Sequence, residues 1–168
     1  MRIFRFIRWI IIAVVLISAG ITALLNLRTK TYDLRDGYSI SAKGSWKDVT
    51  KERGESDLTL MTSDETMMMI FDVFSKEDSG MELAEFASTY IAKEETPIEL
   101  LDPVTLGSYS GYMMTATEPD DDGDTVYMQN YILEADGSYI FGTGFSYVEQ
   151  ISKTKESIEA MLSSLKKG

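Results

Sequence analysis

The segment MMMIFDVF, Met67 to Phe74, is apolar at every position but Asp72. A strand with two apolar faces belongs inside a sheet that is covered on both sides, so this is the predicted central strand. Shorter alternations precede it. In YSISAKGSW, Tyr38 and Ile40 alternate with serines, as on a half-buried strand, and Gly44 breaks the run before Trp46. DLTLM, from Asp57 to Met61, reads as another short strand. Downstream, the pattern predicts strands over Ile98–Leu106, Tyr109–Thr117, Thr125–Glu134 and Tyr139–Tyr147. Asp136-Gly137 joins the last pair and predicts a type I′ hairpin turn, which needs positive φ at both central residues. On the last strand, Tyr139, Phe141, Thr143, Phe145 and Tyr147 share one face. Gly142 and Gly144 lie on the other, where a helix has room to approach.

Two helices complete the pattern. In SGMELAEFASTYIAKEE, Ser79 and Glu82 have capping-box spacing, in which each side chain satisfies a free amide of the first turn. Leu83, Phe86, Ala87, Tyr90 and Ile91 then recur at helical spacing, and Pro97 lies beyond the end, where a helix cannot continue. The C-terminal stretch places Ile151, Ile158, Met161, Leu162 and Leu165 on one stripe. Strands, helix, strands, helix, with long hairpins, predict an α+β domain over residues 38–168. Its antiparallel sheet is flanked by helices.

A different pattern occupies the N-terminus. Trp9 to Leu27 is an uncharged run of 19 residues. At 1.5 Å per residue it matches the ~30 Å hydrocarbon core of a bilayer. Residues 1–30 therefore read as a transmembrane signal anchor and Thr31–Gly37 as a linker. Arg2, Arg5 and Arg8 outnumber Arg28 and Lys30, which places the N-terminus in the cytoplasm and the domain outside. The competing reading is a signal peptide cleaved near Ile21-Thr22-Ala23, although the run is longer than an ordinary signal core. Both readings export the domain. With no cysteine in the chain to carry the lipid, a lipoprotein is excluded.

Composition narrows the chemistry further. There is no histidine and no cysteine, so Ser-His-Asp triads, Cys-His pairs, thiolate metal sites and disulfides are impossible. Net charge is −11, and after Lys30 the chain carries 11 basic against 27 acidic residues. Such a surface repels phosphate backbones, and nucleic acid is not expected as a partner.

GYSISAKGSW, GSYSGYMMTAT and a closing helix that ends in SSLKK resemble the PsbP/DcrB-type domain, a group that includes the Ran-binding Mog proteins. The resemblance runs from Tyr38 to Lys167. It implies an αβα sandwich and a protein that binds rather than catalyses. Metal-binding residues proposed in plant members rely partly on histidine, so no metal site carries over.

Candidate chemistry is sparse. EPDDDGDTV offers Glu118, Asp120, Asp122 and Asp124 as oxygen ligands for a divalent cation such as calcium. The EF-hand pattern nevertheless fails at Thr125 and Gln129, and strands rather than helices flank the loop, so a solvated hairpin tip is the preferred reading. Met67, Met68, Met69, Met113, Met114 and Met128 have no cysteine or histidine to help hold copper and read as core filling. S-x-x-K occurs three times, at Ser152, Ser163 and Ser164, without the companion motifs of serine acylases. The strand tyrosines, among them Tyr109, Tyr112, Tyr127, Tyr131, Tyr139 and Tyr147, are expected in the core or as anchors for a protein partner.

These observations lead to a membrane-anchored, extracytoplasmic binding or accessory module of a bacterial cell envelope. It has no cofactor and is non-catalytic, and an envelope protein is the expected partner. The alternatives are a cation-responsive module that uses residues 118–124, and a small hydrolase.

Overall fold

The computed structural model describes residues 28–44, 46–54, 56–91, 102–120, 122–147 and 150–168. Strand β1 (Thr29–Asp33) pairs antiparallel with β2 (Tyr38–Lys43), with Tyr32 opposite Ile40. Thr31–Asp33, expected in a linker, thus belong to an edge strand. Only Tyr32 of its five side chains is buried, so the backbone ladder holds this strand with almost no hydrophobic pattern to announce it. A two-residue strand, β10 (Lys166–Lys167), pairs with the other edge of β2.

Among the described residues the larger sheet has seven strands. These are β3 (Trp46–Asp48), β4 (Leu58–Thr62), β5 (Met67–Ser75), β6 (Asp102–Leu106), β7 (Tyr109–Pro119), β8 (Thr125–Ala135) and β9 (Ser138–Tyr147), in the order β3-β4-β5-β9-β8-β7-β6. Every pairing is antiparallel. The helices are α1 (Thr50–Arg53), α2 (Lys76–Ser79), α3 (Leu83–Ile91) and α4 (Ile151–Ser163). The α+β antiparallel class expected from the pattern is the class observed.

Alternation along the strands divides the core. Met69, Phe71 and Val73 of β5, Tyr131 and Leu133 of β8 and Ile140 of β9 face Ile158, Met161 and Leu162 of α4. The same cluster takes in Tyr32, Tyr38 and Ile40 of the small sheet. Side chains such as Ile158 and Leu162, fully buried, each contribute about 1.5–3 kcal/mol over the exposed state. The opposite face carries a smaller cluster of Met114, Ile132, Tyr139 and Phe141 around Ala87 of α3. Phe86 stacks on Tyr139 at 4.7 Å, and the Tyr139 hydroxyl donates to the Met81 carbonyl at 2.6 Å.

Two local expectations are corrected. Ser79 does not cap α3: it closes α2, where Ser75 is the cap and accepts from the Asp78 amide. Gly80, at φ +61°, then turns the chain out of the helix before α3 begins, so the Ser79–Glu82 spacing never lies on one helical turn. The Asp136-Gly137 hairpin forms between Ala135 and Ser138, but only Gly137 has positive φ (+77°), so the turn is not type I′. Tertiary contacts fix it instead. The Asp136 carbonyl accepts from the Tyr38 hydroxyl and the Lys167 ammonium, and the Gly137 carbonyl accepts from the Lys76 amide.

The apolar run Trp9–Leu27, the candidate cleavage site, Pro97 and residues 98–101 of the strand expected over Ile98–Leu106 lie outside the described residues. No helix among the described residues is long and apolar enough to cross a membrane.

Candidate functional site: a two-lobed groove at Trp46

The break at Gly44 separates β2 from β3 and carries the chain from the small sheet to the edge of the large one. Trp46 lands in the gap, half-buried, against the side of α4. The Tyr32 hydroxyl donates to the Trp46 carbonyl at 3.0 Å and holds the start of β3. At the other end of the gap, Ser164 ties the end of α4 to β2. Its hydroxyl accepts from the Ser41 amide at 2.7 Å and donates to the Met161 carbonyl at 2.6 Å.

Between these fixings runs a groove with two lobes. The first, about 400 Å³, has Ala42, Trp46, Ala160 and Met161 as its apolar part, with Ser41, Ser157 and Glu156 around them. The second, about 320 Å³, is more polar and is lined by Lys43, Gly44, Thr62, Asp64 and Lys153. Lys43, Trp46 and Ser157 belong to both. Each lobe is within the ~300–1,000 Å³ of small-ligand sites. No motif announced this groove, because its walls come from Thr29, Ala42, Trp46, Thr62 and Ala160, which are far apart in sequence. The only local signal was the glycine-interrupted step from β2 to Trp46.

The acidic hairpin is a folded turn. Asp120 Oδ1 accepts from the amides of Asp122 (3.0 Å) and Asp124 (2.8 Å), and its Oδ2 accepts from the Tyr147 hydroxyl (3.2 Å). That bond raises the Tyr147 pKa. Glu118 lies on β7 opposite Val126 of β8, while Asp122 and Asp124 are in the turn itself. Asp121 is outside the described residues. Among the described residues, no group of three or more acids is placed to hold a metal ion.

The other candidates fall to structural roles. Met67 and Met69 are buried on the face opposite Met68, and Met114 and Met128 fill the sheet. The Ser164 hydroxyl is committed to backbone groups. Tyr38, Tyr131 and Tyr139 are fully buried. Tyr131 donates to Glu159 Oε1 of α4 at 3.0 Å, and burial, reinforced by that carboxylate, pushes its pKa up. Tyr147, at 41% exposure, is an open surface residue beside the acidic turn.

No family model matches the chain, and no curated protein matches it. Solved structures do match. A Bacteroides thetaiotaomicron crystal structure aligns at TM-score 0.61 and 12% identity over 83% of this chain and 48% of that one, so the chain spans about half the length of that protein. The Saccharomyces cerevisiae Ran-binding protein Mog1p aligns at TM-score 0.52 and 10% identity over 83% of this chain and 95% of Mog1p. This chain has a Mog/PsbP-like fold. Cyanobacterial PsbP from Synechocystis also aligns, at TM-score 0.48 and 12% identity, over 84% of this chain and 94% of its own. At such identities the likeness is one of fold, and function has to be argued from the site.

Proposed function

We propose that this chain is a membrane-anchored, extracytoplasmic binding module of the cell envelope, without catalytic chemistry of its own, and that the Trp46 groove is its binding surface. The groove carries this reading. It joins an apolar floor to a charged and hydroxylated rim, the composition of a recognition site. The sequence supplies no histidine or cysteine to act as base, nucleophile or metal ligand. The same fold serves a Ran-binding protein in yeast, so binding is within its repertoire. The chain enters the domain at the groove: Thr29 lines the first lobe, and the Arg28 carbonyl accepts from the amide of Gly44 in the second. A membrane-spanning run that ends at Leu27 would bring the groove close to the bilayer.

The test is a photocrosslinking residue at Ser157, on the groove, compared with one at Glu77, exposed on α2. In the full chain in its native cells, adducts are expected at Ser157 and not at Glu77. Equal labelling at both, or none at Ser157, would remove the groove as the binding surface.

A further inference from the structure

We infer that the groove receives an anionic membrane phospholipid, with one acyl chain in the apolar lobe and the phosphate headgroup in the polar one. The inference rests on the reading of the groove as a binding surface and gives its ligand a chemical class.

The contrast between the lobes is the first argument. Ala42, the Trp46 ring, Ala160 and Met161 present hydrocarbon to the first lobe. A chain of methylene groups gains by leaving water for such a floor. Lys43 and Lys153 line the second lobe together with the hydroxyl residues Thr62, Ser63 and Ser157. One ligand that spans both must be apolar at one end and anionic at the other.

The opposing charges are Asp64 in the second lobe and Glu156 in the first. Asp64 is engaged in its own turn, where it accepts from the Thr66 hydroxyl at 3.0 Å. No ion pair joins Lys43 or Lys153 to another described residue, whereas Arg35, Lys76 and Lys155 are each paired. Both lysines line the polar lobe and can donate to an incoming phosphate.

Charge along the chain is the second argument. Arg28–Arg53, the stretch that builds β1, β2, β3 and α1, carries seven basic against four acidic residues. Gly54–Gly168 carries six against twenty-three. In the groove wall that this stretch makes, Lys43 is the one charged lining residue, and it is basic. The same wall is bonded to Arg28, the residue that follows the apolar run, through the Gly44 amide. Lipid headgroups would meet these residues first.

Trp46 makes the test direct. The chain has two tryptophans, Trp9 and Trp46, so Trp9→Phe leaves Trp46 as the only reporter. The full-length variant is placed in nanodiscs of phosphatidylglycerol brominated along the acyl chain. Bromine is expected to quench Trp46, and Ala160→Phe, which fills the apolar lobe, is expected to abolish the quenching. Ser157→Phe is the second filling variant if the first loses its melting transition. Lys43→Glu with Lys153→Glu is expected to raise the half-saturating lipid concentration about tenfold, with no change for brominated phosphatidylcholine. Quenching that survives both filling variants, or that is equal for the two headgroups, would overturn the proposal. If the protein does not enter nanodiscs, the anchor reading has failed rather than the lipid site. Monomeric brominated lysophosphatidylglycerol then decides it: saturable quenching upholds the site and none overturns it.

Discussion

Thr154 rests directly on Gly144: a Cβ added to the glycine would come 2.9 Å from Thr154 Cγ2 and 3.1 Å from Met69 Sδ. Thr154 is fully buried. Its hydroxyl donates back along α4 to the Gln150 carbonyl at 3.0 Å, which leaves its methyl group to meet the sheet. Gly142 repeats the arrangement under Leu162, whose methyl carbons would lie 3.3 Å from a Cβ there. These two missing side chains set how deeply α4 sits on β9. They thereby set the height of the groove wall that Ser157 and Ala160 form.

Gly144→Ala should accordingly destabilise the protein by about 1–3 kcal/mol, the usual cost of overpacking. Thr154→Ser removes the opposing methyl group while keeping the hydroxyl. The double variant should lose less than the sum of the single losses, because the two sites share one contact. Urea denaturation of the four proteins checks this. Strictly additive losses would show that the methyl contact is not what fixes the helix.

Asp72 predicts a pH effect. It interrupts the central strand and is half-buried, and its Oδ1 accepts from the Asp57 amide at 3.0 Å. Asp57 in turn accepts from the Val73 amide at 2.8 Å and from Arg35. Burial raises the Asp72 pKa, against the opposing pull of the Asp57 N–H. A raised carboxyl pKa favours the fold fully below the ordinary value of 3.8. That contribution is lost as pH climbs through the folded-state value. Asp72→Asn keeps the acceptor and removes the charge. It should raise the melting temperature at pH 7, and the gain should vanish below the ordinary carboxylate range. A gain that grows on acidification would contradict the burial argument.

What the sequence made legible follows how each element is stabilised. Where alternation decides, as in Met67–Phe74 or in Gly142 and Gly144 beneath α4, the pattern named both the strand and the face. β1 escaped because TKTYD has one buried side chain and is held by backbone pairing to β2. The Ser79 cap failed because Ser79 is the last residue of a short helix that the pattern did not announce, and Gly80 separates that helix from α3. The groove was illegible for another reason. Thr29, Ala42, Trp46 and Ala160 meet only after two sheets and a helix have packed, and no short motif records that meeting.

Topology is a separate prediction. Three arginines precede the apolar run and two basic residues, Arg28 and Lys30, follow it closely, a bias that predicts a domain outside the cytoplasm. Protease added to intact protoplasts should remove an epitope attached after Gly168. Protection until lysis would reverse the orientation.

The acidic turn gives the last prediction, and the structure sharpens it. Asp120 is a capping residue: its carboxylate satisfies the Asp122 and Asp124 amides and the Tyr147 hydroxyl. Asp122 and Asp124 are exposed, and charges in such positions are screened beyond about 8 Å at physiological salt. Replacing both with asparagine should leave stability within about ±0.5 kcal/mol, as for most surface changes. Asp120→Ala should cost about 1 kcal/mol, because two turn amides lose their acceptor. Calcium would have to compete with those amides for the Asp120 oxygens, so the melting temperature should respond little to calcium, and equally in all three proteins. A genuine site filled at 100 times its Kd would add about 2.7 kcal/mol to the native protein alone. A saturable calcium shift of that size, abolished by the Asp122→Asn and Asp124→Asn pair, would make the turn a cation site.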